Sequence, residues 1–152
     1  MLRGIIAVAV AAFLGMGQVA AQTDAASITD AGNAYMTGKG VRQDDARAVE
    51  LYQEAADMGY ARAMHNLGFM YAEGRGVPQD EFKAIELYRA AMAQAYVPAM
   101  TSLGIAYAEG RGVSREPDTA RDLLQRAADL GDRRAKDYLT QSKLAPSAIG
   151  RF

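Results

Sequence analysis

Small and apolar residues return along the chain at the spacing of a helix face. Ala63, Leu67, Met70 and Tyr71 stand at i, i+4, i+7 and i+8, and Ala84, Leu87, Tyr88 and Ala91 trace a second face of the same kind. Polar residues fill the slots between, so this stretch predicts two amphipathic helices joined by a short link. The pattern then recurs. Tyr71-Ala72-Glu73-Gly74-Arg75-Gly76-Val77 reappears unchanged as Tyr107-Ala108-Glu109-Gly110-Arg111-Gly112-Val113, an offset of 36 residues. One step back the same phase holds Tyr35, Gly38, Gly40 and Val41, and it continues through Asp44, Asp80 and Glu116, then Ala48, Ala84 and Ala120. Leu51, Leu87 and Leu123, Ala55, Ala91 and Ala127, and Ala63, Ala99 and Ala135 complete the register. Three helix–loop–helix units therefore share one phase, and the pattern decays after Ala135, as an end cap would.

The residues that break the helices have identifiable roles. Gly74 and Gly76 supply a link that can take positive φ, Pro78 disfavours helix at its predecessor, and Asp80 is placed to cap the next helix. Gly59 and Gly131 follow second helices where a left-handed stop is expected, whereas the middle unit has Ala95 there. Gly68 and Gly104 lie inside first helices, where glycine costs about 1 kcal/mol relative to alanine, so their periodic return predicts a close approach of two helices. One such pair cannot bury its apolar face alone; three stacked pairs form a continuous core with capped ends. The predicted fold is all-α, an α/α solenoid over 27–142 with units at 27–60, 61–96 and 97–132, a capping helix at 132–142 and a loose tail at 143–152. Ser27-x-x-Asp30 has the form of a capping box opening the first unit after a leader at 22–26.

Residues 1–21 stand apart. Arg3, the apolar run from Ile5 to Leu14 and the small residues Val19-Ala20-Ala21 have the order of an export signal with cleavage after Ala21. Gly15, Gly17 and Gln18 interrupt the run before it reaches the roughly 20 apolar residues of a membrane span. The expected location is the periplasm, with secretion as the alternative, and no membrane insertion after cleavage.

Composition removes several chemistries. Of 152 residues 50% are hydrophobic and 23% charged, with 17 basic and 18 acidic side chains for a net charge of −1, so the basic footprint of a nucleic-acid binder is missing. Without cysteine there is no disulfide framework, thiolate metal site or cysteine nucleophile, and one histidine, His65, excludes a multi-histidine metal cluster. The Gly-x-Gly-Val links lack the Lys-Ser or Lys-Thr of a phosphate loop and follow no predicted strand, no serine opens a Ser-x-x-Lys motif, and a His-Glu-x-x-His helix is impossible. Glu50, Glu86 and Asp122 repeat with the helices, as solvated faces do. No catalytic residue, metal or cofactor is expected.

Leu67-Gly68, Tyr71, Gly74-Arg75-Gly76-Val77, Asp80, Lys83-Ala84, Leu87-Tyr88 and Ala91 together resemble the Sel1-like repeat, a relative of the tetratricopeptide repeat with a longer inter-helix loop. The resemblance covers about Ser27 to Tyr138. The first unit departs from it with Ala31 at the leading leucine, and the third has Arg121-Asp122-Leu123-Leu124 where an aromatic often stands. It implies a right-handed superhelix whose first helices line a concave protein-binding surface, and exported members of the family resemble adaptors or regulators in the cell envelope. Some secreted cysteine-rich relatives bind β-lactams; with no cysteine and no evident nucleophile, that activity is not carried over here.

Positions that recur in every unit serve folding, so a partner surface is sought where units differ. The first helices vary at Asn33, Phe69 and Ile105, and at Thr29, His65 and Thr101. A Phe69–His65 ridge beside Thr101 and Ile105 is the candidate seat for an apolar side chain or helix; the alternative is that Phe69 packs on its own unit and His65 is merely exposed. Tyr60 and Tyr96 form a second candidate pair at an interface rim, the alternative being packing between units. Lys39, Arg75 and Arg111 recur at the link tips, either as a ladder for an anionic partner or as a solvated edge, with Glu73 and Glu109 weakening the field. Met36, Met58, Met64, Met70, Met92 and Met100 fit a role as core gap-fillers. The expected function is a non-enzymatic, monomeric periplasmic module that binds an envelope protein, an adaptor or regulator of a receptor or assembly protein. The alternatives are a small envelope hydrolase or β-lactam-binding protein, and a secreted effector that binds a host protein.

Overall fold

The computed structural model describes residues 24–142 and holds, among them, seven helices and no strand. The export signal expected at 1–21, the opening of the leader at 22–23 and the tail expected at 143–152 lie outside the described residues. Helix α1 covers 24–37, and α2 Asp45–Asp57, α3 Ala61–Glu73, α4 Glu81–Ala93, α5 Val97–Glu109, α6 Pro117–Asp129 and α7 Arg133–Gln141 follow. From α2 onward each helix packs against the next in sequence, and α7 also touches α5. This is a superhelical array in which α1–α2, α3–α4 and α5–α6 are the three repeat units. Ala135 and Leu139 seat α7 on the core at the trailing end.

Ser27 does not open the first unit. Residues 24–26 are already helical, and Ala25 is buried at the phase of Ala61 and Val97, where α3 and α5 begin. Tyr60 and Tyr96 precede those two helices without a side-chain cap, so packing phase rather than a capping residue decides where first helices start. Second helices are capped chemically in two of the three units. Asp44 accepts from Arg47 N at 3.0 Å and Asp80 from Lys83 N at 2.9 Å, whereas Glu116 makes no such bond. Their far ends stop in the left-handed region at Gly59 (φ +83°) and Gly131 (φ +96°). Ala95 takes φ +60° in the middle unit, so the stop expected to be weaker forms there despite the side chain.

The glycines inside first helices receive side chains from the second helices. A Cβ at Gly32 would lie 2.6 Å from Tyr52 Cε1, one at Gly68 2.7 Å from Tyr88 Cε1, and one at Gly104 2.8 Å from Leu124 Cγ. The close approach inferred from sequence is thus mainly a ring, or in the third unit a leucine, laid on the glycine. Tyr52, Leu67, Met70 and Leu124 are among the largest fully buried side chains. Met70 and Met100 are core, while Met58 is exposed.

The links join neighbouring units. Arg75 reaches back to the first unit, with Nη2 2.6 Å and Nε 3.0 Å from the carboxylate oxygens of Asp45 and Nη2 3.2 Å from Met36 O. Arg111 repeats the contact one unit on, with Nε 3.0 Å from Glu81, and Nη2 3.0 Å from Ala72 O and 3.2 Å from Glu73. The ladder or solvated edge expected of these arginines is therefore replaced by a clamp on the preceding unit. The second glycine of the motif permits it. Gly76 (φ +69°) lies so close to the start of α2 that a Cβ would sit 2.8 Å from Ala46 N and closer still to Asp45. At the opening link Gly40 has open space and Lys39 stands in place of arginine, since no unit precedes it among the described residues. Leu67 and Leu103 are buried, and their counterpart Ala31 is exposed for the same reason. At the other end Arg115 Nε satisfies Ala108 O within its own link at 2.9 Å.

Candidate functional site

First helices carry residues to a cleft at i, i+3 and i+4. On α3 these are Phe69, Ala72 and Glu73, and on α5 Ser102, Ile105 and Ala106. Between α3 and α5, with α4 beneath and Arg134 of α7 at the rim, lies a cavity of about 110 Å³. Phe69, Ile105, Ile85 and Ala72 give it apolar walls, with Tyr88 and Ser102 adding hydroxyls. The lining also carries Glu73, Glu81 and Arg111, bound to each other as described, and Arg134, for whose guanidinium no ion pair is formed among the described residues.

The candidate residues fall into four environments. Phe69 is 38% exposed and Ile105 half-buried, and both line the cleft. His65 is largely interior, its ring centroid 5.6 Å from that of Tyr88 and 5.5 Å from that of Tyr96. Asn33 faces its own neighbours, its Oδ1 accepting from Tyr52 Oη at 2.7 Å and Asn66 Nδ2 at 3.0 Å. Thr101 is fully buried with its hydroxyl donating to Asp132 at 2.7 Å, so it drops out of any contact surface. Thr29 is buried likewise and donates to Ala25 O at 2.7 Å. The column 29, 65, 101 thus faces inward, and one residue later Ser102 lines the cleft while Asn66 turns to Asn33.

These groups form a polar chain across the three first helices. Tyr52 Oη and Asn66 Nδ2 meet on Asn33, Asn66 Oδ1 lies 3.4 Å from His65 Nδ1, and His65 Nε2 lies 3.0 Å from Ser102 Oγ. Burial drives the His65 pKa down to about 4, against the hydrogen bond to Asn66 Oδ1, which favours the charged form, and with Arg134 pushing the same way as burial. The imidazole is therefore neutral near pH 7 and serves as a hydrogen-bonding strut. Burial also pushes the Tyr52 and Tyr88 phenols up to about 12. The two tyrosines occupy the same place in their units and differ in one respect. Asn33 receives the Tyr52 hydroxyl, but its counterpart in the second unit is Phe69, and the Tyr88 hydroxyl has no hydrogen-bond partner among the described residues.

Of the other sequence candidates, Tyr96 packs on His65 between units, and Tyr60 lies under the Arg62 guanidinium at 5.7 Å. Ile85, Ser102 and Arg134 belong to the cleft without having been singled out in sequence, and Tyr88, read there as a helix-face residue, joins them. A search for groups of three or more histidine, cysteine or carboxylate side chains able to hold a metal finds none among the described residues, and no helix there is long and apolar enough to cross a membrane.

Comparison with known proteins fits this architecture. The Sel1 repeat family model matches at residues 25–60, 61–96 and 97–132. A protective antigen of uropathogenic Escherichia coli with an SLR fold is similar at 38% identity and a TM-score of 0.71, over 77% of this chain and 25% of that one. A Sel1 repeat protein from Oxalobacter formigenes is 33% identical with a TM-score of 0.67, over 75% of this chain and 47% of that one. This chain therefore spans about a quarter and about half of those two proteins. Helicobacter pylori cysteine-rich protein B shares the fold at 20% identity and a TM-score of 0.59, over 78% of this chain and 96% of that one. No curated protein gives a significant match. Sel1 repeats generally mediate protein–protein interaction and are generally not enzymes. With three matched units covering most of its length and the helix pairs those units require, the chain belongs to the Sel1 repeat family.

Proposed function

We propose that the protein is a non-enzymatic interaction module of the bacterial cell envelope, an adaptor or regulator that docks a partner protein on its first-helix face at the Phe69–Ile105 cleft. The observation that carries this reading is the exposure of Phe69 beside Ile105 at positions where the first unit has Asn33. An aromatic placed at the mouth of an apolar cleft has little to gain for the fold and much to offer a partner side chain. His65 and Asn33 act behind that surface by holding α1, α3 and α5 in register. Export rests on the pattern of residues 1–21, and the protective antigen among the similar proteins is in keeping with it. With 16 basic and 18 acidic residues once the signal is removed, a net charge of −2, the body has no general attraction to nucleic acid or anionic lipid.

A photo-reactive residue at Phe69, with one at Glu54 on exposed α2 as control, tests the docking in intact cells. A partner captured from Phe69 and not from Glu54, and lost on Ile105→Asp, supports the reading. Equal capture from both positions, or none, overturns it.

A further inference from the structure

The cleft has a chemistry that its own residues leave incomplete. Tyr88 is only 6% exposed, yet its hydroxyl has no partner among the described residues, because Phe69 occupies the place from which Asn33 receives the equivalent Tyr52 hydroxyl. The hydroxyl oxygen is not itself sealed off but opens on the cleft that Tyr88 lines, where water or a ligand can supply the acceptor. Arg134, also in the cleft lining, is exposed, bears no ion pair among the described residues and acts electrostatically on both Tyr88 and His65. The other cation of the cleft, Arg111, is already shared between Glu73 and Glu81. Two donors without protein acceptors, the Tyr88 hydroxyl and the Arg134 guanidinium, therefore line the cleft beside apolar walls formed by Phe69, Ile85 and Ile105. A cavity of about 110 Å³ is smaller than the roughly 150 Å³ that admits a benzene ring, which suits one aliphatic side chain.

Building on the proposed docking function, we infer that the partner inserts an aliphatic side chain between Phe69 and Ile105 and sets the carboxylate of a neighbouring acidic residue against the Arg134 guanidinium and the Tyr88 hydroxyl. The carboxylate accepts what both donors lack. A basic residue in place of the acidic one meets Arg134 as a like charge.

Four synthetic peptides, acetylated and amidated so that neither terminus is charged, test this against the intact chain. They carry Leu-Glu, Leu-Gln, Leu-Lys or Gly-Glu at the centre of the same glycine–serine frame, and binding is read from backbone amide shifts in NMR titrations. The expected result is saturable shifts around Phe69, Ser102 and Ile105 with Leu-Glu, about two- to fivefold weaker binding with Leu-Gln, the range of a single exposed charge contact, and weaker still with Leu-Lys. Arg134→Gln should erase the Leu-Glu over Leu-Gln preference. Tyr88→Phe keeps the ring on Gly68 and should weaken Leu-Glu binding while leaving thermal stability unchanged or raised. Equal binding of Leu-Glu and Leu-Gln, or shifts confined to other surfaces, overturns the inference. If Phe69 crosslinking still captures a partner in that case, the acidic–aliphatic chemistry fails while the docking face stands.

Discussion

Arg75 binds Asp45 across thirty residues, with Nη2 and Nε facing the two carboxylate oxygens at 2.6 and 3.0 Å. The hydrogen bond from Arg75 is the main reason the Asp45 carboxyl is held below its usual range. A carboxyl with a depressed folded-state pKa stabilises the fold above its unfolded value of 3.8, and that contribution fades as pH falls through the lower folded value. The Gly-Arg-Gly link is thus a joint between units. Gly76 and Gly112 admit the neighbouring helix start, and Gly40 faces open space. Gly112→Ala should therefore destabilise by more than about 2 kcal/mol, through both the left-handed φ and the collision with Glu81, while Gly40→Ala incurs only the conformational part, about 1 kcal/mol. Urea unfolding of the two variants makes the comparison, and equal effects would refute the joint.

Ala95 offers the opposite change. Its φ of +60° is one that a Cβ disfavours by about 1–2 kcal/mol, and the equivalent Gly59 and Gly131 show what the position prefers. Ala95→Gly should raise stability by about 1 kcal/mol, less the added freedom of the unfolded chain, and the denaturant midpoint should move upward.

His65 predicts a pH dependence. Its folded-state pKa of about 4 lies below the unfolded 6.5, so between those values the unfolded chain binds a proton that the folded chain refuses. Stability is full above pH 6.5 and declines as pH falls toward 4, by on the order of 3 kcal/mol if the shift is fully expressed. The opposing groups, Asn66, Ser102, Arg134 and Asp132, belong to α3, α5 and the start of α7, and the rings of Tyr88 and Tyr96 complete the surroundings. His65→Gln, which retains a hydrogen-bonding group toward Ser102, should flatten the stability profile over that interval. An unchanged profile would show that His65 does not govern it.

Thr101 and Phe69 should respond in opposite ways. Thr101→Val removes the hydrogen bond to Asp132 and should lower stability by about 1 kcal/mol with partner binding otherwise intact. Phe69→Ala should cost little stability, since the ring is 38% exposed, but should abolish capture of the partner by a photo-reactive residue placed at Ser102 in the same cleft. Thermal melts and crosslinking yield together separate the two residues.

The 36-residue phase made the helix pairs, the link glycines and the Asp80 cap legible in the sequence, because the helix pairing and the left-handed link glycines recur in every unit and the side-chain cap in two of the three. Ser27 misled because a local capping pattern competes with packing phase, and burial of Ala25 settles the helix start. Arg75 and Arg111 looked like surface charges since their carboxylate partners lie thirty residues away in another unit. Phe69 and Ile105 were found by their variation, whereas Thr101 was drawn in by sharing a column with His65. A one-residue shift in phase turns a helix position by about 100°, which is why Ser102, and not Thr101, reaches the cleft.

The backward reach of the link arginines also gives assembly an order in time. On a chain that emerges from its N-terminus first, the Met36 carbonyl has no arginine until Arg75 has been made, whereas the Ala72 carbonyl already holds Gln79 of its own link when Arg111 arrives. Arg115 closes on Ala108 in the same way one unit on. The first unit is therefore the one whose link carbonyl is finished by its successor, and the later two are closed from within their own links.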